Sequence, residues 1–123
     1  MSSKILSPHA LCAVNQVSID WGLKKGKTAT LLGIGSVRTL TRKLQNVKKV
    51  GLTQDQMTRA SLLITIYHDL HTLFPGYTMA NSWVHISNPF FGSSPLQTML
   101  NGGIPEILKV EYYVKTLLRR GSI

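Results

Sequence analysis

Residues 53–76 read Thr53-Gln54-Asp55-Gln56-Met57-Thr58-Arg59-Ala60-Ser61-Leu62-Leu63-Ile64-Thr65-Ile66-Tyr67-His68-Asp69-Leu70-His71-Thr72-Leu73-Phe74-Pro75-Gly76. Thr53 and Gln56 stand at the spacing of a capping box, in which each side chain satisfies the other's backbone N–H at a helix start. Met57, Ala60, Leu63, Ile64, Tyr67, Leu70 and Phe74 then return every three or four residues. That is one face of a long amphipathic helix, which Pro75-Gly76 stops.

Outward from this helix the chain breaks into further helix-length pieces, and little of it alternates as a strand would. Ser7-Pro8 has the form of a cap followed by a first-turn proline, opening an apolar helix to about Trp21. Lys24 to Leu32 is a second helix with Gly33 as its left-handed stop, and Ser36 caps a third through about Leu44. Lys48 to Gly51 is a basic connection. Beyond the long helix, Asn81 is expected to cap a short helix through Trp83 and Ile86, interrupted by Asn88-Pro89. Ser94-Pro95 opens another that Gly102 ends. Pro105 opens the last, with Ile107, Leu108, Val114, Leu117 and Leu118 inward; Glu106 at its start and Arg119 and Arg120 at its end suit the helix dipole. The expectation is an all-α chain, a small helical bundle, with an amino-terminal helix-turn-helix unit over 1–52 and a second helical unit over 53–123.

A chain of 123 residues with 43% hydrophobic content can bury one core, or two small ones, and is not a disordered polymer. No apolar run reaches the roughly eighteen residues of a membrane span. The first residues make a poor signal peptide, because Pro8, His9 and Asn15 interrupt the apolar stretch. The lone Cys12 cannot form an internal disulfide, which fits a reducing cytoplasm. Set among Ala10, Leu11, Ala13 and Val14, it is expected in the core.

The net charge of +9 is unevenly spread. Residues 1–50 carry nine lysines and arginines against Asp20 alone, a net +8, whereas the remainder sets five against four, a net +1. A surface selected only for solubility mixes both signs, so the amino-terminal half is read as facing a polyanion. Residues 24–44 have helix-turn-helix proportions. With Val37, Leu40, Thr41 and Leu44 turned inward, Arg38, Thr39, Arg42 and Lys43 turn outward beside the cap residue Ser36. Arginines there can meet guanine edges or phosphates in the major groove. The bland alternative is an ordinary basic surface helix.

Other chemistry is poorly supported. Gly33-Ile34-Gly35-Ser36 lacks the third glycine and the preceding strand of a dinucleotide loop. His68 and His71 could share a metal by spacing, but no cysteine pair or placed acid completes the set, and they read as surface or partly buried histidines. No nucleophile–base set has supporting context. No enzymatic activity and no cofactor are expected. Trp83, Phe90, Phe91, Tyr112 and Tyr113 divide between core and interface anchors in a way periodicity does not decide.

The stretch Trp83-Val84-His85-Ile86-Ser87-Asn88-Pro89-Phe90-Phe91-Gly92-Ser93-Ser94-Pro95-Leu96 is followed by Leu100-Asn101-Gly102-Gly103-Ile104-Pro105 and a last helix to Arg120. In that order it resembles the toxin-binding domain of the Xre/MbcA/ParS antitoxins, the partners of RES-domain toxins. Upstream, Leu62-Leu63, Ile66-Tyr67, Leu70 and Leu73-Phe74-Pro75 fit the same pattern, so the resemblance covers about residues 53–121. It implies a cytoplasmic protein that neutralises a cognate RES-domain toxin, a class understood to degrade NAD, by occluding its active site. It also implies an Xre-like helix-turn-helix that represses the operon by binding operator DNA. Leu44 stands where many relatives have an aromatic. By carry-over the toxin-facing residues are Gly92, Ser93, Ser94, Tyr112, Tyr113, Arg119 and Arg120, the two arginines reaching a phosphate-accepting cleft. A homodimer is expected, through the apolar face of the long or the first helix, because one recognition helix reads few base pairs. The rivals are a stand-alone repressor whose carboxy-terminal half only dimerises, and an adaptor that no longer binds DNA.

Overall fold

The computed structural model describes residues 3–47 and 51–121, with side chains from Pro8 onward. Among these residues the chain is all-α, with no strand: α1 (Ser3–Asp20), α2 (Lys25–Leu32), α3 (Val37–Gln45), α4 (Gln54–Leu73), α5 (Tyr77–Ser82), a single 3₁₀ turn (Trp83–His85), α6 (Pro95–Asn101) and α7 (Ile104–Arg120). Residues 48–50 of the expected basic connection lie outside the described residues. Two compact units divide the chain, Met1–Ile64 and Thr65–Ile123. The long helix α4, assigned from sequence wholly to the second unit, thus gives its first half to the first.

In the first unit α1 begins at Ser3 and carries Pro8 inside it, so Ser7 is not its cap. A proline removes one i→i−4 hydrogen bond, and the helix continues past that loss. Leu11, Val14, Val17 and Trp21 form the inward stripe, each at most 4% exposed. Cys12, one residue round from Leu11, is exposed and not in the core as expected. The helical turn of about 100° per residue decides this, overriding the apolar neighbourhood in sequence. A buried hydrogen bond between Ser18 and Thr28 ties α1 to α2. Gly33 ends α2 at φ 71°. The N–H of Ile34 reaches Ala29 O at 2.8 Å and that of Gly33 reaches Thr30 O at 3.1 Å, closing the helix in Schellman fashion. The turn is sealed by Ile34 and Leu40, 4% and 1% exposed.

The capping box of α4 forms in both directions. Gln56 N donates to Thr53 Oγ1 and Thr53 N to Gln56 Oε1, each at 3.1 Å. Ala60 and Leu63 bury in the first unit; Ile66, Leu70 and Leu73 bury in the second.

In the second unit Asn81 does not cap a helix. It lies inside α5, buried, and its Oδ1 accepts from His71 Nε2 at 2.8 Å, which joins α5 to α4. Ser94 Oγ accepts from Gln97 N at 3.1 Å and Pro95 takes the first position of α6, as the sequence leads one to expect. In α7, Ile107, Val110 and Val114 are fully buried. Leu108 is 45% exposed, correcting its inward assignment: the seam runs 107–110–114, and 108 falls outside it. An ion pair of 2.9 Å from Lys115 to Asp69 links α7 with α4.

Candidate functional site

The first candidate face is built on α2 and α3. Ser36 accepts from Thr39 N at 3.1 Å and donates to Thr39 Oγ1 at 3.1 Å, so both hydroxyls are engaged in starting the helix. Arg38 and Arg42 are exposed and one turn apart, and no ion pair holds either among the described residues. Gln45, seven residues on from Arg38 and exposed, extends the same stripe. The i, i+4, i+7 repeat of one helix face places it there.

Lys43 is a correction. It is only 8% exposed and its Nζ donates to Gly51 O at 2.8 Å, so it does not face outward with the arginines. Burial, and secondarily the charge of Arg42, hold its pKa below the ordinary lysine value. A lysine stem can pack as a hydrocarbon while its head finds a carbonyl. The inner face of α3 therefore lies one position from where the spacing of Val37, Leu40, Thr41 and Leu44 predicts it. Leu40 and Lys43 are buried, Thr41 and Leu44 only half-buried, and Val37 is 44% exposed.

The second candidate face lies where the loop between the 3₁₀ turn and α6 meets α7. Residues 88–93 close a tight turn through a bridge between Asn88 and Ser93. Asn88 N donates to Ser93 O, and Phe91 N and Gly92 N donate to Asn88 O, all at 3.0 Å, while Asn88 Oδ1 accepts from Phe90 N at 2.9 Å. Gly92 sits at φ 74°, a left-handed conformation that favours glycine. The turn presents Phe90 and Phe91 to α7, where Tyr113 is the hub. Its ring centroid is 4.9 Å from that of Phe90, 5.2 Å from Phe91 and 6.1 Å from Trp83. These separations suit offset and edge-to-face aromatic packing. Phe90 stays 62% exposed and Tyr112 63% exposed. With Tyr113, Thr116, Leu117 and Arg120 they line an open cleft of about 280 Å³.

Of the residues assigned here by resemblance, Tyr112, Tyr113 and Arg120 come together at this cleft, and Arg119 is exposed beside them in sequence. Gly92 shapes the turn and Ser94 caps α6. Ser93 lies 3.2 Å from Thr98 Oγ1 and lines a second groove, with Phe91, Asn101, Gly102, Glu106 and Lys109. Periodicity does not place Phe90 in core or interface, because a tight turn has no repeat to signal its exposure. His68 is exposed and His71 is bound to Asn81; no group of three or more His, Cys, Asp or Glu side chains is placed to share a metal among the described residues. No described helix is long and apolar enough to cross a membrane.

No protein-family model matches the chain. It is 32% identical over 110 residues to the uncharacterized protein y4oB of Sinorhizobium fredii (strain NBRC 101917 / NGR234), covering 87% of this chain and 82% of that protein, and it belongs to the same family.

Proposed function

We propose that this member of the y4oB family is an antitoxin that binds and inhibits a RES-domain, NAD-degrading toxin through its second unit. Its first unit binds operator DNA and represses the operon, as a two-fold dimer. The observation that carries the reading is the cleft on α7. Two large aromatic side chains, Phe90 and Tyr112, stay mostly in water beside Arg120. Exposed aromatics with an arginine are the usual anchors of a protein interface. Arginine also offers planar, two-pronged hydrogen bonding to phosphate. That suits the mouth of an enzyme that handles NAD, and inhibition is steric: the toxin's cleft is filled and NAD is kept out. The free pair Arg38 and Arg42, in the half of the chain that carries +8, supports the DNA-binding part.

The test is co-expression with a RES-domain toxin encoded beside this gene, scored by growth and cellular NAD. Full protection by the wild type is expected. Loss of protection is expected for the double variant Arg119→Ala, Arg120→Ala, because truncating one side of a buried charge pair typically costs about 2–5 kcal/mol. A wild type that leaves NAD depleted overturns the antitoxin reading. A double variant that protects as well as the wild type moves inhibition away from the α7 cleft.

A further inference from the structure

We infer that Val37 is a base-reading residue that contacts a thymine methyl group in the major groove; this rests on the DNA-binding reading above and deepens it. Val37 is the first residue of α3 and is 44% exposed, although its sequence pattern directed it to the core. The first turn of the second helix in a helix-turn-helix is the part that meets base edges. An exposed valine alone would call for no explanation, but its surroundings do. Lys25 and Lys27 in the first turn of α2, and Arg38 immediately after Val37, are all exposed, and no ion pair holds any of them among the described residues. An apolar residue among free cations does not suit a neutral protein surface. It suits a partner that is anionic outside and carries methyl groups within reach, which is the major groove of a T-containing duplex.

Gly26 supports the same conclusion. It lies in α2 opposite Val37, and an added Cβ would meet only Val37 Cγ2, at 3.9 Å, an ordinary contact. Its φ is not in the left-handed region either. Glycine is a weaker helix former than alanine, and nothing inside the unit requires it here. Gly26 is exposed, and its missing side chain leaves the surface of α2 beside Val37 bare. Lys25 and Lys27 stand on either side of Gly26 in sequence and reach phosphates, while Val37 reads a methyl.

The test starts by selecting duplexes from a random pool with the full-length protein. Each thymine of the selected site is then replaced by uracil, which removes only the C5 methyl. The wild type should lose about fourfold in affinity at one position or its symmetry mate, the worth of one buried methyl group. Val37→Ala, folded by circular dichroism, should be indifferent to that replacement. The double variant Lys25→Ala, Lys27→Ala should weaken all duplexes alike and flatten the salt dependence, while keeping the fourfold thymine preference. A wild type that binds duplex DNA but is indifferent to every replacement overturns the inference alone. So does Val37→Ala retaining the full preference. A wild type with no salt-dependent duplex binding overturns the DNA-binding reading, and this inference with it.

Discussion

Replacing Gly33 with alanine separates two costs that meet at the turn between α2 and α3. Gly33 sits at φ 71°, and a residue with a Cβ there carries roughly 1–2 kcal/mol of backbone strain. The new Cβ would also lie 2.9 Å from Arg59 Nε and 3.1 Å from its Cζ. That end of the arginine is flexible, so the steric part is relieved by moving it. Moving it breaks the 2.9 Å ion pair to Asp55, whose side chain is 55% exposed. An exposed i,i+4 pair of this kind contributes only about 0.3–0.5 kcal/mol. Backbone strain therefore dominates, and the expected loss is about 1–2 kcal/mol, or about 4–8 °C in Tm for a domain of this size. Gly35→Ala is the control: no atom lies within 4 Å of its added Cβ and its φ is not left-handed, so its change should stay within about 0.5 kcal/mol. Gly33→Asn should fall between them, because asparagine tolerates the left-handed region better than alanine. Thermal melts followed by far-ultraviolet circular dichroism measure all three. Equal melting of Gly33→Ala and Gly35→Ala would refute the reasoning.

Gly102→Ala should be destabilising by about 1–3 kcal/mol, the range of an overpacked site. Its Cβ would fall 1.8 Å from Glu106 Cγ and 2.6 Å from Glu106 Cβ, and urea unfolding should show a lower midpoint. The folded pKa of Lys43 lies below the ordinary 10.5, so between the two values the unfolded chain binds more protons. Stability should rise with pH across that window, and Lys43→Met should remove this component of the rise when the two pH profiles of urea unfolding are subtracted. Arg38→Ala with Arg42→Ala should weaken DNA binding and flatten the slope of log affinity against log salt by roughly 0.9 for each phosphate left without its arginine; an unchanged slope in fluorescence-anisotropy titrations would remove these arginines from the interface.

What the sequence determined by itself was set by interactions spanning a few residues. The Thr53–Gln56 box, the Ser36 and Ser94 caps and the glycine stop after Leu32 each link groups within a helical turn or so, and each is present with its bonds formed. The all-α class follows from that local punctuation and from 3.6-residue periodicity. Only the tertiary structure decided which way particular side chains face. Cys12 is outside because the α1 seam is registered on Leu11 and Val14. Lys43 is inside because Gly51 O, eight residues away, is in reach of its ammonium group. Val37 is displaced outward by that same one-position shift of the inner face of α3. The Phe90–Tyr113 pairing brings residues 23 positions apart together at 4.9 Å, and it forms the wall of the α7 cleft. Its partners are chosen by how a tight turn packs on a helix, a long-range choice that no short window of sequence contains.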